Sequence, residues 1–298
     1  MPYHFAIAPI NDQIAAKTGR RGVMATFEEV GFLSDELDQW KHAAQQAQEA
    51  YADAFGYAYR ANGMALRVMK AIPMQDISEE MKWAIAAFAR ATGAFQCAVL
   101  MIERGAMAEA RALARLCAET LIVAKGLVNL PGTLEILRES DAEHSIRAIA
   151  NIIGLNAANA QPDEESLERL RGTMAELELA FPKRRSLNYR TLALNTGLEL
   201  FYEIAYRYTS GDGAHATLGA LVRHIKAEEG NHGYFFGPDI AGMASTLLTV
   251  SVAITELIDL AVSGMECGEF APELRDLKLH WFTIRADLEA KAAEESAE

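Results

Sequence analysis

Alanine is the feature that most constrains this chain, because 53 of its 298 residues are alanine. Alanine has the highest intrinsic helix propensity, and its small side chain allows helices to pack closely. Aromatic residues, which favour strands, make up only 8% of the sequence. Hydrophobic residues make up 51%, which is enough for a buried core. The composition therefore predicts an all-α protein.

Proline divides the chain into helical segments, since it lacks the amide hydrogen that a helix interior requires. No segment shows the apolar–polar alternation of a half-buried strand. The predicted helices cover residues 34–71, 76–104, 106–129, 132–154, 163–180, 188–209, 214–227, 239–266 and 272–295. They form a predicted bundle of about eight to nine helices. We expect one helical domain over residues 34–298 and an N-terminal arm over residues 1–33.

The net charge of −13 limits what this protein can bind. A protein that holds a DNA duplex without regard to sequence needs a large basic surface to displace counterions. The charge therefore argues against binding to duplex DNA, and it leaves a small, locally basic cleft open.

Neither a membrane span nor a secretory signal is expected. The longest uncharged run, residues 240–255, has about 16 residues and is shorter than the roughly 20 apolar residues of a membrane span. It predicts a buried core helix. The first residues lack a basic start followed by an apolar block. The three cysteines are an odd number without Cys-x-x-Cys spacing, which favours a reducing cytoplasm.

A first candidate cluster lies on the predicted helix over residues 106–129. Arg111, Arg115 and Glu119 recur every four residues in a stretch that is otherwise apolar nearly all round, so they share one face. One interpretation is a ladder of charges on the solvated side of the helix. The other is a polar cleft inside the bundle, because a charge in a bundle interior is tolerated when it is paired or functional.

A second candidate cluster lies near the end of the predicted tyrosine-rich helix. The glycines of Ser210-Gly211-Asp212-Gly213 allow a sharp turn that brings the next helix close. The alternative is an ordinary helix end followed by a capping histidine. The residues that carry chemistry here are Tyr202, Tyr206, Arg207, Ser210 and His215.

The most basic patch of the sequence immediately precedes the tyrosine-rich helix. It consists of Lys183, Arg184 and Arg185. One interpretation is a solvated loop, in which such basic residues have no binding role. As an alternative, they form a local positive field that guides RNA or phosphate toward the tyrosines.

A metal centre is considered and not predicted. The sequence Glu229-Gly230-Asn231-His232 contains one Glu-x-x-His unit. Ferritin-like di-iron bundles need this unit twice, together with carboxylates from two further helices. We therefore expect no metal and no cofactor, with a ferritin-like metal-binding oxidase as an alternative.

Two short sequences carry a resemblance to a known group of proteins. RALARLCAE lies in a long predicted helix, and YRYTSGDGAH follows about ninety residues later. This arrangement resembles a bacterial family of helical domains without an established activity. That family is similar to the HEPN superfamily, which contains helical-bundle ribonucleases and toxins of prokaryotic defence systems. The resemblance covers about residues 80–230 and implies a HEPN-like core there.

The resemblance implies metal-independent cleavage of RNA. It places Arg115 and Glu119 on the Arg-x-x-x-Glu helix, and Ser210 and His215 at the step from serine through a turn to histidine. His215 would be the general acid or base, and Arg115 or Arg207 would hold the phosphate. Seven residues separate Arg207 from His215, whereas HEPN ribonucleases have four to six. The resemblance also implies a homodimer and a cognate antitoxin or defence partner.

The sequence thus leaves two main hypotheses. The first is a HEPN-like endoribonuclease whose cleft includes Arg111, Arg115, Glu119 and the tyrosine cluster. The second is a non-catalytic helical interaction protein, in which the same charges form a structural network.

Overall fold

The computed structural model describes residue 32 and residues 45–157, 163–207, 217–222, 224–228, 231–234 and 237–295. It is helical, with one short β-hairpin. The longer helices are α1 (Ala52–Ala71), α2 (Glu79–Glu103), α3 (Met107–Asn129), α4 (Thr133–Ala157), α5 (Glu164–Ala180), α9 (Met243–Gly264) and α10 (Ala271–Glu295). The shorter elements are α6 (Tyr189–Asn195), α7 (Glu199–Phe201), a π-helix (Tyr202–Arg207), α8 (Leu218–Val222), β1 (Ile225–Glu228), β2 (Asn231–Tyr234) and a 3₁₀ helix (Gly268–Phe270).

The core is built around α3, which packs against α2 on one side and α9 on another. Alanine provides much of this contact. Both α2 and α3 bury alanines repeatedly along their length, at positions 84, 91 and 98 and at positions 110, 114 and 118. Small side chains on two facing helices allow the backbones to approach closely. The alanine content of the sequence is therefore used in helix–helix packing, in agreement with the all-α prediction.

Local signals place most helix starts correctly. The Ser78 side chain accepts a hydrogen bond from the amide of Met81 at 3.2 Å and caps α2. The Asp163 side chain caps α5 by accepting from the amide of Ser166 at 3.2 Å. Such caps satisfy amides that have no partner inside the helix. The predicted start at Ser34 lies outside the described residues.

Two helices, α2 and α9, are long and apolar enough to cross a membrane by length and composition. α9 is also a core helix, since it is mostly buried and packs against α1, α2, α3 and α10. The interpretation of residues 240–255 as part of a buried core helix agrees with this placement, because most of that part of α9 is buried.

The prediction of one helix over residues 188–209 is wrong. The chain forms α6, turns at Thr196-Gly197, and continues through α7 into the π-helix. Gly197 has a φ of 74°, a left-handed conformation that glycine adopts without strain. The Thr196 hydroxyl donates to the carbonyl of Leu192 at 2.8 Å and helps to end α6. The residues after Gly197 also favour a helix, so helix propensity alone predicts no break. The turn at Thr196-Gly197 outweighs that propensity.

The prediction of one helix over residues 214–227 is confirmed only over Leu218–Val222 and is wrong over residues 225–227. After the short helix α8, the chain forms the antiparallel pair β1 and β2, in which Ile225 lies opposite Tyr234 and Glu228 opposite Asn231. Only two residues, Glu229 and Gly230, connect the strands in the sequence. A two-residue connection that contains glycine favours a tight hairpin turn. Of the single Glu-x-x-His unit, His232 lies on β2, and Glu229 lies outside the described residues.

Tyr57 of α1 is the largest side chain at the centre of the packing, and it is 0% exposed. Its hydroxyl is hydrogen-bonded to the Thr255 hydroxyl of α9. Since Thr255 donates its own proton to the carbonyl of Ser251 at 2.6 Å, Tyr57 is the donor in this pair. Burial raises the pKa of Tyr57 to about 12. The folded protein therefore keeps this proton at pH values where an unfolded tyrosine, with a pKa near 10, loses it.

We predict that Tyr57→Phe lowers the free energy of unfolding by about 1 kcal/mol at neutral pH, because one buried hydrogen bond is lost. Above pH 10 the wild type loses stability as the unfolded state ionises Tyr57 and the folded state does not. The variant lacks this contribution, so its stability falls less between about pH 10 and pH 12. Urea unfolding at several pH values measures both effects. If the free energy of unfolding fell equally with pH in both proteins, the prediction would be contradicted.

Candidate functional site

Arg115 lies at the centre of the candidate site and connects α3 to the π-helix. Its Nε donates to Oε1 of Glu119 at 2.9 Å, and the two side chains are only 15% and 24% exposed. Its Nη2 donates to the hydroxyl of Tyr206 at 3.2 Å. The guanidinium carbon also lies 4.6 Å from the centre of the Tyr206 ring. Such a cation–π contact adds to the hydrogen bonds and fixes the guanidinium.

Three tyrosine rings are stacked beside Arg115. The Tyr206 ring stacks with that of Tyr202, 4.8 Å away at 18°, and with that of Tyr189, 5.5 Å away at 24°. Tyr202 and Tyr206 both belong to the π-helix, and Tyr189 is the first residue of α6. The sequence prediction that Arg115, Glu119, Tyr202 and Tyr206 come together agrees with this geometry.

Gly126 of α3 allows α6 to dock closely enough to place Tyr189 in the stack. A Cβ atom on Gly126 would lie 2.7 Å from Cδ1 of Leu192 in α6, so glycine is needed for this approach. The π-helix packs against α3 as well. π-Helical turns are rare and occur frequently at functional sites. The break in the tyrosine-rich helix is thus part of what builds the cluster.

Two tyrosines of the stack, Tyr189 and Tyr206, have a raised pKa. Burial, and then the negative charge of Glu119, raise the pKa of Tyr189 to about 12. Burial also raises the pKa of Tyr206, and the positive charge of Arg115 opposes this effect. Both phenols therefore stay protonated across the physiological range, and neither acts as a base there.

A pocket of about 370 Å³ adjoins the cluster, bounded by α2, α3 and α4 and by Tyr189. Glu119 and Tyr189 belong to both the cluster and the pocket wall. The remaining lining residues are Trp83, Ala86, Ala87, Arg90, Leu116, Thr120, Val123, Leu127, Leu134, Leu137, Arg138 and Asp141. Sequence reasoning did not identify this pocket, because its walls come from three helices whose polar residues show no shared spacing.

Arg111 has a different role from that expected of a cleft residue. It is 4% exposed, and its Nη2 donates to the carbonyl of Ala241 at 3.0 Å. The next residue, Gly242, has a φ of 78°, and a Cβ there would lie 1.6 Å from Nη2 of Arg111. Arg111 therefore supports the turn that leads into α9, and its guanidinium is enclosed by protein.

The basic patch is largely paired within the protein. Arg184 Nε donates to Oε2 of Glu143 at 2.8 Å. Arg185 forms a two-point contact with Glu139, at 2.6 Å and 2.9 Å. Through these hydrogen bonds, Arg185 lowers the pKa of Glu139 and Arg184 lowers the pKa of Glu143. Arg184 and Arg185 thus bind the loop before α6 to α4. Lys183, the third residue of the patch, is exposed.

The remaining predicted site residues are described only in part. Arg207 is the last residue of the π-helix. Ser210 and His215 lie outside the described residues, so their predicted approach to the cluster stays a prediction. Among the residues that the structure describes, no group of three or more histidine, cysteine, aspartate or glutamate side chains is arranged to hold a metal ion.

Comparison with known proteins identifies a family over the middle of the chain. The model of DUF5677, a family of unknown function, matches residues 81–232, which is half of the chain. The chain belongs to this family. The DUF5677 region contains α3 with Arg115 and Glu119, the tyrosine stack, and the walls of the 370 Å³ pocket. Helices α1, α9 and α10 lie outside it. No curated protein and no solved structure matches the chain.

We predict that Gly242→Ala lowers the free energy of unfolding by about 2–5 kcal/mol, because the new Cβ adds backbone strain at positive φ and meets the Arg111 guanidinium. The matched control is Gly172→Ala on α5, where nothing lies within 4 Å of the added Cβ. That helical replacement is expected to gain about 0.5–1 kcal/mol. Chemical denaturation of both variants measures the difference, and equal stabilities would contradict the role assigned to Arg111.

Proposed function

We propose that this protein is a HEPN-like endoribonuclease that cleaves RNA without a metal ion, in a cytoplasmic defence or toxin system. The observation that supports this best is the placement of Arg115 against three stacked tyrosine rings. Single-stranded RNA is bound by cations that contact its phosphates and by aromatic rings that stack on its bases. A guanidinium on an aromatic stack combines both kinds of group.

The proposed chemistry assigns a role to each side chain. His215 takes the proton of the RNA 2′-hydroxyl, since an imidazole with a pKa near 6.5 can accept and release a proton at neutral pH. The 2′-oxygen then attacks the phosphorus, and the bond to the 5′-oxygen breaks. The leaving 5′-oxygen takes the proton that the His215 imidazolium now carries, which yields a 2′,3′-cyclic phosphate and a 5′-hydroxyl and returns His215 to its neutral form.

The other residues stabilise the charge that develops on the phosphate. Arg115 and Arg207 donate hydrogen bonds to its oxygens, and Ser210 orients it. Tyr206 also donates, since its raised pKa keeps the phenol protonated. Glu119 holds the Arg115 guanidinium in place through the contact of 2.9 Å. We place RNA in this local cleft, and a homodimer and an antitoxin partner belong to the same proposal.

A non-catalytic interaction protein is the second candidate, and a specific observation favours it. The charges of the predicted cleft have partners inside the protein: Arg115 with Glu119 and Tyr206, Arg184 with Glu143, and Arg185 with Glu139. A charge network of this kind also stabilises a scaffold. In that case Arg115→Ala lowers the melting temperature because it leaves Glu119 partly buried without its cation.

The test is incubation of the purified full chain with total RNA in the presence of EDTA. We predict that the wild type cleaves RNA and that His215→Ala lowers the rate by about 10²–10⁴-fold, as expected for the loss of a general acid or base. Arg115→Ala is expected to lower it as well, through loss of charge stabilisation. The matched control is Arg171→Ala, which removes an exposed arginine of α5 and should leave cleavage unchanged.

Thermal melting of each variant separates the two candidate functions. Equal cleavage by the wild type and His215→Ala would reject the ribonuclease assignment, as would no cleavage by any protein. Absence of cleavage together with a lower melting temperature for Arg115→Ala would favour the interaction protein.

A further inference from the structure

The pocket beside the cluster has the size of a site for one ring system. Its volume of about 370 Å³ lies near the lower end of the roughly 300–1,000 Å³ typical of small-molecule sites. Its walls are mainly aliphatic side chains of α3 and α4, among them Leu116, Val123 and Leu137. A mostly apolar wall favours a flat ligand with polar groups only at its edges.

Two aromatic side chains stand in the wall of this pocket. Trp83 is 53% exposed, which is unusual for a side chain of its size, and Tyr189 is partly buried. Arg138 chiefly, and the Trp83 side chain as well, hydrogen-bond to Glu79 and lower the pKa of that carboxyl group. The Trp83 ring lines the pocket and leaves an aromatic surface open. Aromatic rings of this kind stack on nucleobases.

Two oppositely charged side chains line the pocket wall, Arg90 of α2 and Asp141 of α4. Neither makes an ion pair or a side-chain hydrogen bond with another of the residues that the structure describes. The other charges of the wall are already engaged, since Glu119 is bonded to Arg115 and Arg138 to Glu79. Among the described residues of the wall, Arg90 is therefore available to a ligand as a cationic donor and Asp141 as an anionic acceptor, and the two lie on different helices.

We propose that this pocket binds a single purine base, with guanine preferred. Guanine carries two N–H groups on one edge, which suit the Asp141 carboxylate, and two acceptors on another edge, O6 and N7, which suit the Arg90 guanidinium. Adenine lacks the O6 acceptor and the ring N–H. The aromatic rings and the aliphatic wall contact the faces of the base.

The position of the pocket connects this inference to the proposed cleavage. Glu119 and Tyr189 are shared with the Arg115 cluster, so a base in the pocket brings its own phosphate toward Arg115. The role of the base as part of an RNA substrate rests on the proposed function. The binding of the base itself can be measured without any cleavage.

The test uses guanosine, adenosine and cytidine, which carry no phosphate and so report on the base alone. Titration of the full chain, followed by calorimetry and by tryptophan fluorescence, is expected to show guanosine binding at least about tenfold more tightly than adenosine. Asp141→Asn should weaken guanosine binding by about tenfold or more and leave adenosine binding unchanged. The matched control is Glu176→Gln, which changes an exposed carboxylate of α5 away from the pocket and should bind guanosine as the wild type does.

The outcomes separate this inference from the ribonuclease assignment. Absence of nucleoside binding, or equal guanosine binding by the wild type and Asp141→Asn, would overturn the purine pocket whether or not RNA is cleaved. Guanosine binding that depends on Asp141, in a protein that leaves RNA intact, would keep the purine pocket and reject the ribonuclease. Cleavage next to guanine that loses its base preference in Asp141→Asn would support both.

Discussion

Close packing of α3 against α2 and α9 is the constraint on which the rest of the structure depends. The alanines that α2 and α3 bury keep the two helices close together. α3 is thereby surrounded on several sides, and charged side chains beyond its first turn, such as Arg111 and Arg115, have little access to water. Each such charge needs a partner, because an isolated charge in a protein interior is strongly unfavourable.

The two arginines of α3 meet this requirement in different ways. Arg111 reaches the carbonyl of Ala241 beneath the turn before α9, and Gly242 leaves the space that its guanidinium occupies. Arg115, one turn further along, reaches Glu119 on its own helix and Tyr206 on the π-helix. The first arrangement stabilises a turn. The second assembles a charged and aromatic cluster beside a pocket, and this is why the candidate function is placed there.

Much of the helical architecture follows from local sequence rules. The predicted helices over residues 76–104, 106–129, 132–154 and 163–180 agree within a few residues with α2, α3, α4 and α5. Caps and prolines act over one or two helical turns, so the helix ends that they set can be predicted from a single sequence. The break at Gly197 and the hairpin over Ile225–Tyr234 were missed, because turn geometry and strand pairing there outweigh helix propensity.

The sequence by itself determined the helical class and the shared face of Arg111, Arg115 and Glu119, since both follow from composition and from the 3.6-residue period. It also brought Tyr202 and Tyr206 into one candidate cluster. Only the tertiary structure decided that Arg111 is enclosed while Arg115 borders a pocket, and that Trp83, Arg90 and Asp141 share a wall. These contacts join helices that are far apart in the chain. The spacing of residues along one helix does not show which other helix packs against a given face.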